Sequence, residues 1–125
     1  MSMAVKDGGR LVGKTILVIE DDYLIGQQVA DVLTMEGAAV LGPFGWLEEA
    51  AAAATDVSAA LDAALVDINL HGEKSYPAVD ILLSRGIPVI LMTGYGPGSI
   101  EADYAACRHF AKPFSRNQLI EALLS

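Results

Sequence analysis

The chain of 125 residues holds a single cysteine, Cys107, and a single tryptophan, Trp46. One thiol can neither close an internal disulfide nor build a thiolate metal cage, and it fits a reducing compartment. Basic residues are also scarce. Eight Lys and Arg stand against sixteen Asp and Glu, for a net charge of −8. Binding to a nucleic-acid backbone rests on Lys and Arg neutralising phosphates, so that backbone is excluded as the main partner. A cation site remains open, because clustered carboxylates favour one. No apolar run approaches the roughly 18 residues of a membrane span. Residues 1–10 lack the apolar core of a signal peptide and read as a loose lead-in. A soluble, cytoplasmic protein is expected, with neither nucleic acid nor membrane as partner.

Hydrophobic residues make up 53% of the chain, enough for a core, and charged residues 19%, too few for disorder. The length suits one domain. The expected division is a flexible lead-in over 1–14 and one folded domain over 15–125. There is no internal repeat, and the alanine run 50–54 is explained by helix propensity.

Thr15-Ile-Leu-Val-Ile19 is a β-rich apolar run of the kind that is covered on both faces of a sheet. It ends in three acids, Glu20, Asp21 and Asp22, and Asp21 or Asp22 can cap the helix that follows and stops near Gly37. A short strand over 38–41 closes at Gly42-Pro43, and a helix is predicted from Trp46 to about Thr55. Ala63-Ala-Leu-Val-Asp67 is a third strand that again ends in an acid. A polar loop with Gly72 leads to Pro77 in the first turn of a third helix. Residues 87–92 form the fourth strand, 93–99 a glycine-rich loop followed by a weak helix, and 108–111 the fifth strand. Ser115 and Gln118 form a capping-box pattern that opens the last helix. Alternation of β and α with short connections predicts a parallel sheet with helices on both faces. In such sheets ligands bind beyond the carboxyl ends of the strands.

At that edge the sequence places three carboxylates, a hydroxyl and an ammonium. Glu20 and Asp21 leave the first strand and Asp67 the third; Thr93 ends the fourth and Lys112 the fifth. Crowded carboxylates repel, and a hard divalent cation relieves that repulsion. Mg²⁺ takes oxygen ligands and keeps several waters, so two carboxylates and a backbone carbonyl suffice, and Asn69 can supply the carbonyl. A nucleophilic carboxylate, a metal seat, a hydroxyl donor and a cation form the set that phosphoryl transfer to a carboxylate needs.

These pieces resemble the receiver domain of bacterial response regulators over about residues 15–124. The matching strings are Ile16-Leu-Val-Ile-Glu-Asp-Asp22, Ala64-Leu-Val-Asp-Ile-Asn69, Met92-Thr-Gly94 and Ala111-Lys-Pro-Phe114. The resemblance implies a doubly wound, flavodoxin-like (βα)5 fold with strand order 2-1-3-4-5. It implies Asp67 as phosphoryl acceptor and Mg²⁺ held by Glu20, Asp21, Asp67 and the Asn69 carbonyl. It implies Thr93 and Lys112 as the groups that meet the phosphoryl group, and a cis Lys112-Pro113 peptide. A sensor histidine kinase or phosphotransfer protein is the implied donor. The implied domain is no classical enzyme, since it catalyses only its own phosphorylation and dephosphorylation. The position of the family's aromatic switch residue falls on His109, which reads equally as a partly exposed strand residue. The loop Leu70-His-Gly-Glu-Lys-Ser-Tyr-Pro77 departs from the common pattern. With Met92-Thr-Gly-Tyr95 it resembles the single-domain Phe-Ala-Thr-Gly-(Tyr/Trp) receivers of alphaproteobacteria, although Leu91-Met92 replaces Phe-Ala.

Simpler readings stand beside these. Asp22 reads as a cap only, Lys14 and Lys74 as solvated charges, and Cys107 as a small buried residue. Trp46 and Tyr104 read as packing or partner-surface residues. His71 and His109 lack metal-ligand spacing. Output is expected by protein contact, or as a phosphate sink, with no DNA-binding module attached. The loop 94–99 and the helix after it are expected to be mobile before phosphorylation. Two other functions compete. One is a Mg²⁺-dependent phosphohydrolase or nuclease, of Toprim or haloacid-dehalogenase type; both need an acid where Asn69 stands, and the second needs a cap insertion too. The other is a pseudo-receiver that only binds partners, against which Asp67, Thr93 and Lys112 argue.

Overall fold

The computed structural model describes residues 9–94 and 99–124. Its main sheet holds β1 (Thr15–Ile19), β2 (Ala39–Phe44), β3 (Ala63–Asp67), β6 (Val89–Thr93) and β7 (Arg108–Ala111), in the order β2-β1-β3-β6-β7. All four pairings are parallel. In strand-by-strand count this is the expected 2-1-3-4-5 topology. A small antiparallel hairpin, β4 (Asn69–Leu70) with β5 (Glu73–Lys74), follows β3 in the stretch expected to be a plain loop. The helices are α1 (Tyr23–Met35), α2 (Leu47–Thr55), α3 (Tyr76–Ser84) and α4 (Arg116–Leu124).

Why the sheet is central follows from its side chains. β3 and β6 are buried at every position, as expected for strands covered on both faces. On one face Leu17, Ile19, Val66 and Leu91 pack against Ala50 and Ala54 of α2 and Ala78, Val79 and Leu82 of α3. On the other, Ile16, Val18, Leu65 and Met92 meet Val29 and Leu33 of α1 and Leu119 and Ile120 of α4. Full burial of each Val, Leu, Ile or Met among them contributes roughly 1.5–3 kcal/mol.

Local chemistry sets the ends. Asp22 Oδ1 accepts the Ile25 N–H at 3.1 Å and caps α1. Ser115 and Gln118 close the capping box in both directions, at 2.7 and 3.1 Å. Pro77 lies in the first turn of α3. β2 runs two residues past Gly42, to Phe44, with a register shift against β1 between Leu17 and Ile19. Gly42 is required there, because its φ is +103° and a Cβ would lie 2.5 Å from the Val18 carbonyl oxygen.

Two expectations change. The lead-in over 1–14 does not stay loose to residue 14. Residues 1–8 lie outside the described residues, but Leu11 is fully buried in the α1/α4 core. Its N–H donates to the Glu36 carbonyl at 2.9 Å, and Arg10 and Arg116 both pair with the Glu36 carboxylate. A single apolar side chain with a backbone anchor carries no periodicity to read. Where a weak helix is expected between β6 and β7, the described residues form no α-helix and include a 3₁₀ turn over Ala102–Tyr104. Most of the loop expected to be mobile, 95–98, lies outside the described residues. No helix among them is long and apolar enough to cross a membrane.

Candidate phosphoryl-acceptor site

β1 and β3 lie side by side in register, Ile19 opposite Val66. Their carboxyl ends therefore release Glu20, Asp21 and Asp67 at one edge. Carboxylate oxygens of these three residues lie within 4.8 Å of one another. β7 lies two strands away and delivers Lys112 across β6, its N–H donating to the Thr93 carbonyl at 2.8 Å. The Lys112-Pro113 peptide is cis. The Lys112 ammonium bridges the acids: Nζ is 2.6 Å from Glu20 Oε1 and 2.9 Å from Asp67 Oδ2. The other oxygen of Asp67, Oδ1, accepts the Asn69 N–H at 3.1 Å.

Burial decides the electrostatics. Glu20 is 3% exposed and Asp67 6%. Burial pushes the Glu20 carboxyl up to about 8; its contact with Asp67 adds to this and the Lys112 ammonium opposes it. Burial alone would also raise Asp21. The backbone N–H of His71, donating to Asp21 Oδ2 at 2.9 Å, and hydrogen bonding with Glu20 and Asp67 outweigh that and hold it below the usual range. Burial works against the charge of Lys112, but Glu20 and Asp67 raise its pKa. Among the described residues, the three carboxyl groups of the pocket thus face a single ammonium, that of Lys112.

Thr93 is buried, and its hydroxyl is 3.0 Å from that of Ser99. It sits next to Met92, the partner of Asp67 in the β3–β6 register. His109 is exposed on β7, with Nδ1 3.4 Å from the Cys107 carbonyl, and does not join the acid cluster. The side chain of Lys74 does not stand free but donates to Asn69 Oδ1 at 3.0 Å. Sequence reasoning missed a stacked pair beside the site. His71, at the tip of the β4–β5 hairpin, stacks on Trp46 with ring centroids 3.7 Å apart. An open cleft of about 290 Å³ runs from Glu20 and Asp21 to this pair. The His71-Gly72 dipeptide was the available signal, since residues that tolerate positive φ mark hairpin turns.

A nearly buried carboxylate at the end of the third strand, neighbouring acids, and a lysine just past the last strand of a doubly wound sheet fit the receiver class. The comparisons with known proteins agree. No family model matches the chain. It is 31% identical to SdrG from Sphingomonas melonis Fr1, with a TM-score of 0.76 over 90% of this chain and 97% of that one. It is 26% identical to the REC domain of the Erythrobacter litoralis response regulator PhyR, with a TM-score of 0.76 over 93% and 94% of the two chains. Among curated proteins it is 26% identical to the transcriptional regulatory protein PdtaR of Mycobacterium tuberculosis over 127 residues, 98% of this chain. It spans 61% of the length of PdtaR. The chain belongs to the response regulator receiver domains of two-component systems.

Proposed function

We propose that Asp67 accepts a phosphoryl group from the phosphohistidine of a sensor histidine kinase or phosphotransfer protein, and that the resulting change is passed on by protein contact. The observation that carries this reading is the Asp67 carboxylate itself. It is nearly buried, one oxygen faces the Lys112 ammonium and the other the Asn69 N–H. It is thereby aimed and partly stripped of water, as a nucleophile in a transfer reaction must be.

The donor set fits Mg²⁺. Glu20, Asp21 and Asp67 offer hard carboxylate oxygens within 4.8 Å of one another, in a pocket with excess negative charge. These residues, with the Asn69 carbonyl, would hold the ion, which when bound supplies positive charge against the transferring oxygens. In the transfer, an Asp67 oxygen forms a bond to phosphorus while the bond from phosphorus to the donor imidazole nitrogen breaks. The electron pair stays on that nitrogen, which takes a proton from solvent. Lys112 exchanges carboxylate partners for phosphoryl oxygens, and Thr93 turns its hydroxyl toward them. Thr93 must then leave Ser99, which links the new charge to the segment after β6. A switch role for His109 would require its ring to leave the Cys107 carbonyl.

Incubation with acetyl phosphate and Mg²⁺ tests the reading. A base-labile, acid-stable mass increase is expected in the wild type and not in Asp67→Asn. An equal increase in both would overturn Asp67 as acceptor. Turnover of a phosphomonoester or phosphodiester would favour the hydrolase class instead.

A further inference from the structure

We propose that the stacked pair of Trp46 and His71 positions Asp21 for metal binding, an inference that rests on the reading of the acidic pocket given above. The two rings lie 3.7 Å apart and 16° from parallel. They come from separate elements: Trp46 precedes α2 and His71 tips the β4–β5 hairpin. The backbone N–H of His71 donates to Asp21 Oδ2 at 2.9 Å. Clamping the hairpin tip against Trp46 therefore fixes the donor that aims Asp21. Gly45 lies at the same junction, its Cβ position 3.4 Å from Asp21 Cα and 3.7 Å from His71 Nε2.

The backbone of His71 points the same way. Its φ is +50°, the one positive value at a non-glycine among the described residues. With Gly72 at +87° it forms a two-residue hairpin turn with positive φ at both positions. Asn or Gly fits the first position of such a turn better than histidine. The turn tolerates a histidine at this position but makes no use of its ring, whereas the stack on Trp46 does. Ligand orientation set by neighbouring hydrogen bonds is known to change metal affinity by roughly 10–100-fold.

The test is His71→Asn, which suits the turn and removes the ring. Calorimetric titration with MgCl2 alone and metal-free thermal melting are run side by side on the full chain. The expected result is a metal-free melting temperature equal to or above the wild type, with Mg²⁺ bound roughly tenfold more weakly. Trp46→Leu should weaken Mg²⁺ similarly, and His71→Tyr, which restores a stacking ring, should recover much of the affinity. His71→Asn binding Mg²⁺ as tightly as the wild type would overturn the proposal. So would a fall in melting temperature with unchanged affinity, which marks a purely structural ring. Failure of the wild type itself to bind Mg²⁺ would remove the metal reading beneath it, and is distinguishable because it appears before any variant is compared.

Discussion

The ammonium of Lys112 lies 2.6 Å from Oε1 of Glu20, a side chain with no exposure to solvent. The end of the last strand is thereby tied to the end of the first through a buried carboxyl–ammonium contact. Because burial holds the Glu20 carboxyl up at about 8, its protonation in this contact changes within the ordinary pH range.

The first prediction concerns pH. Glu20 has its carboxyl pushed from 4.5 up to about 8, chiefly by burial. The folded metal-free protein therefore holds that proton more tightly than the unfolded chain. The associated stability is complete below pH about 4.5 and is lost as pH rises through about 8. Metal-free melts should show a melting temperature that declines across this window. Glu20→Gln should flatten the decline. A parallel decline in that variant would show that another group is responsible.

Adjacent acids should separate cleanly. Asp22→Ala removes the cap on the Ile25 N–H and should cost about 1 kcal/mol, with Mg²⁺ binding retained. Asp21→Asn removes a proposed ligand and should weaken Mg²⁺ binding with little loss of stability. Calorimetry and denaturant titration on both variants check the division.

Leu11 should behave as a core residue. It is fully buried, so Leu11→Ala should lower stability by about 3 kcal/mol. Urea unfolding measures this directly. A loss below about 0.5 kcal/mol would place the segment outside the cooperative unit, as for an ordinary surface position.

The capping box gives a smaller, local effect. Ser115→Ala leaves the Gln118 N–H without its side-chain partner and should cost about 1 kcal/mol. Hydrogen exchange in α4 should rise accordingly, while exchange in β3 should change only through the loss of global stability.

The legible parts of this chain are those with local grammar. β3 and β6 read as continuous apolar runs because both faces are covered. The capping residues Asp22 and Ser115 read from their position before a helix, and Glu20, Asp21, Asp67 and Lys112 from lying at or just beyond the ends of strands that converge in a parallel sheet. What was not legible depends on distant partners. Leu11 packs into the α1/α4 core, its backbone anchored on the Glu36 carbonyl at the end of α1. Alternation predicts a helix after Gly94, but the described residues there form no α-helix; at the 3₁₀ turn Ala102–Tyr104, Tyr104 stacks on Tyr76, centroids 4.0 Å apart, and hydrogen-bonds Asp80 of α3. Trp46 and His71 stand 25 positions apart in sequence and meet only once α2 and the hairpin are in place.

The most direct measurement is chemical trapping of the acyl phosphate. The protein, phosphorylated by a histidine kinase, is reduced with borohydride, which converts an aspartyl phosphate to homoserine, and then digested for peptide mapping. Homoserine at position 67 alone is the predicted result. Homoserine at another aspartate, or none despite transfer of label from the kinase, would contradict the account.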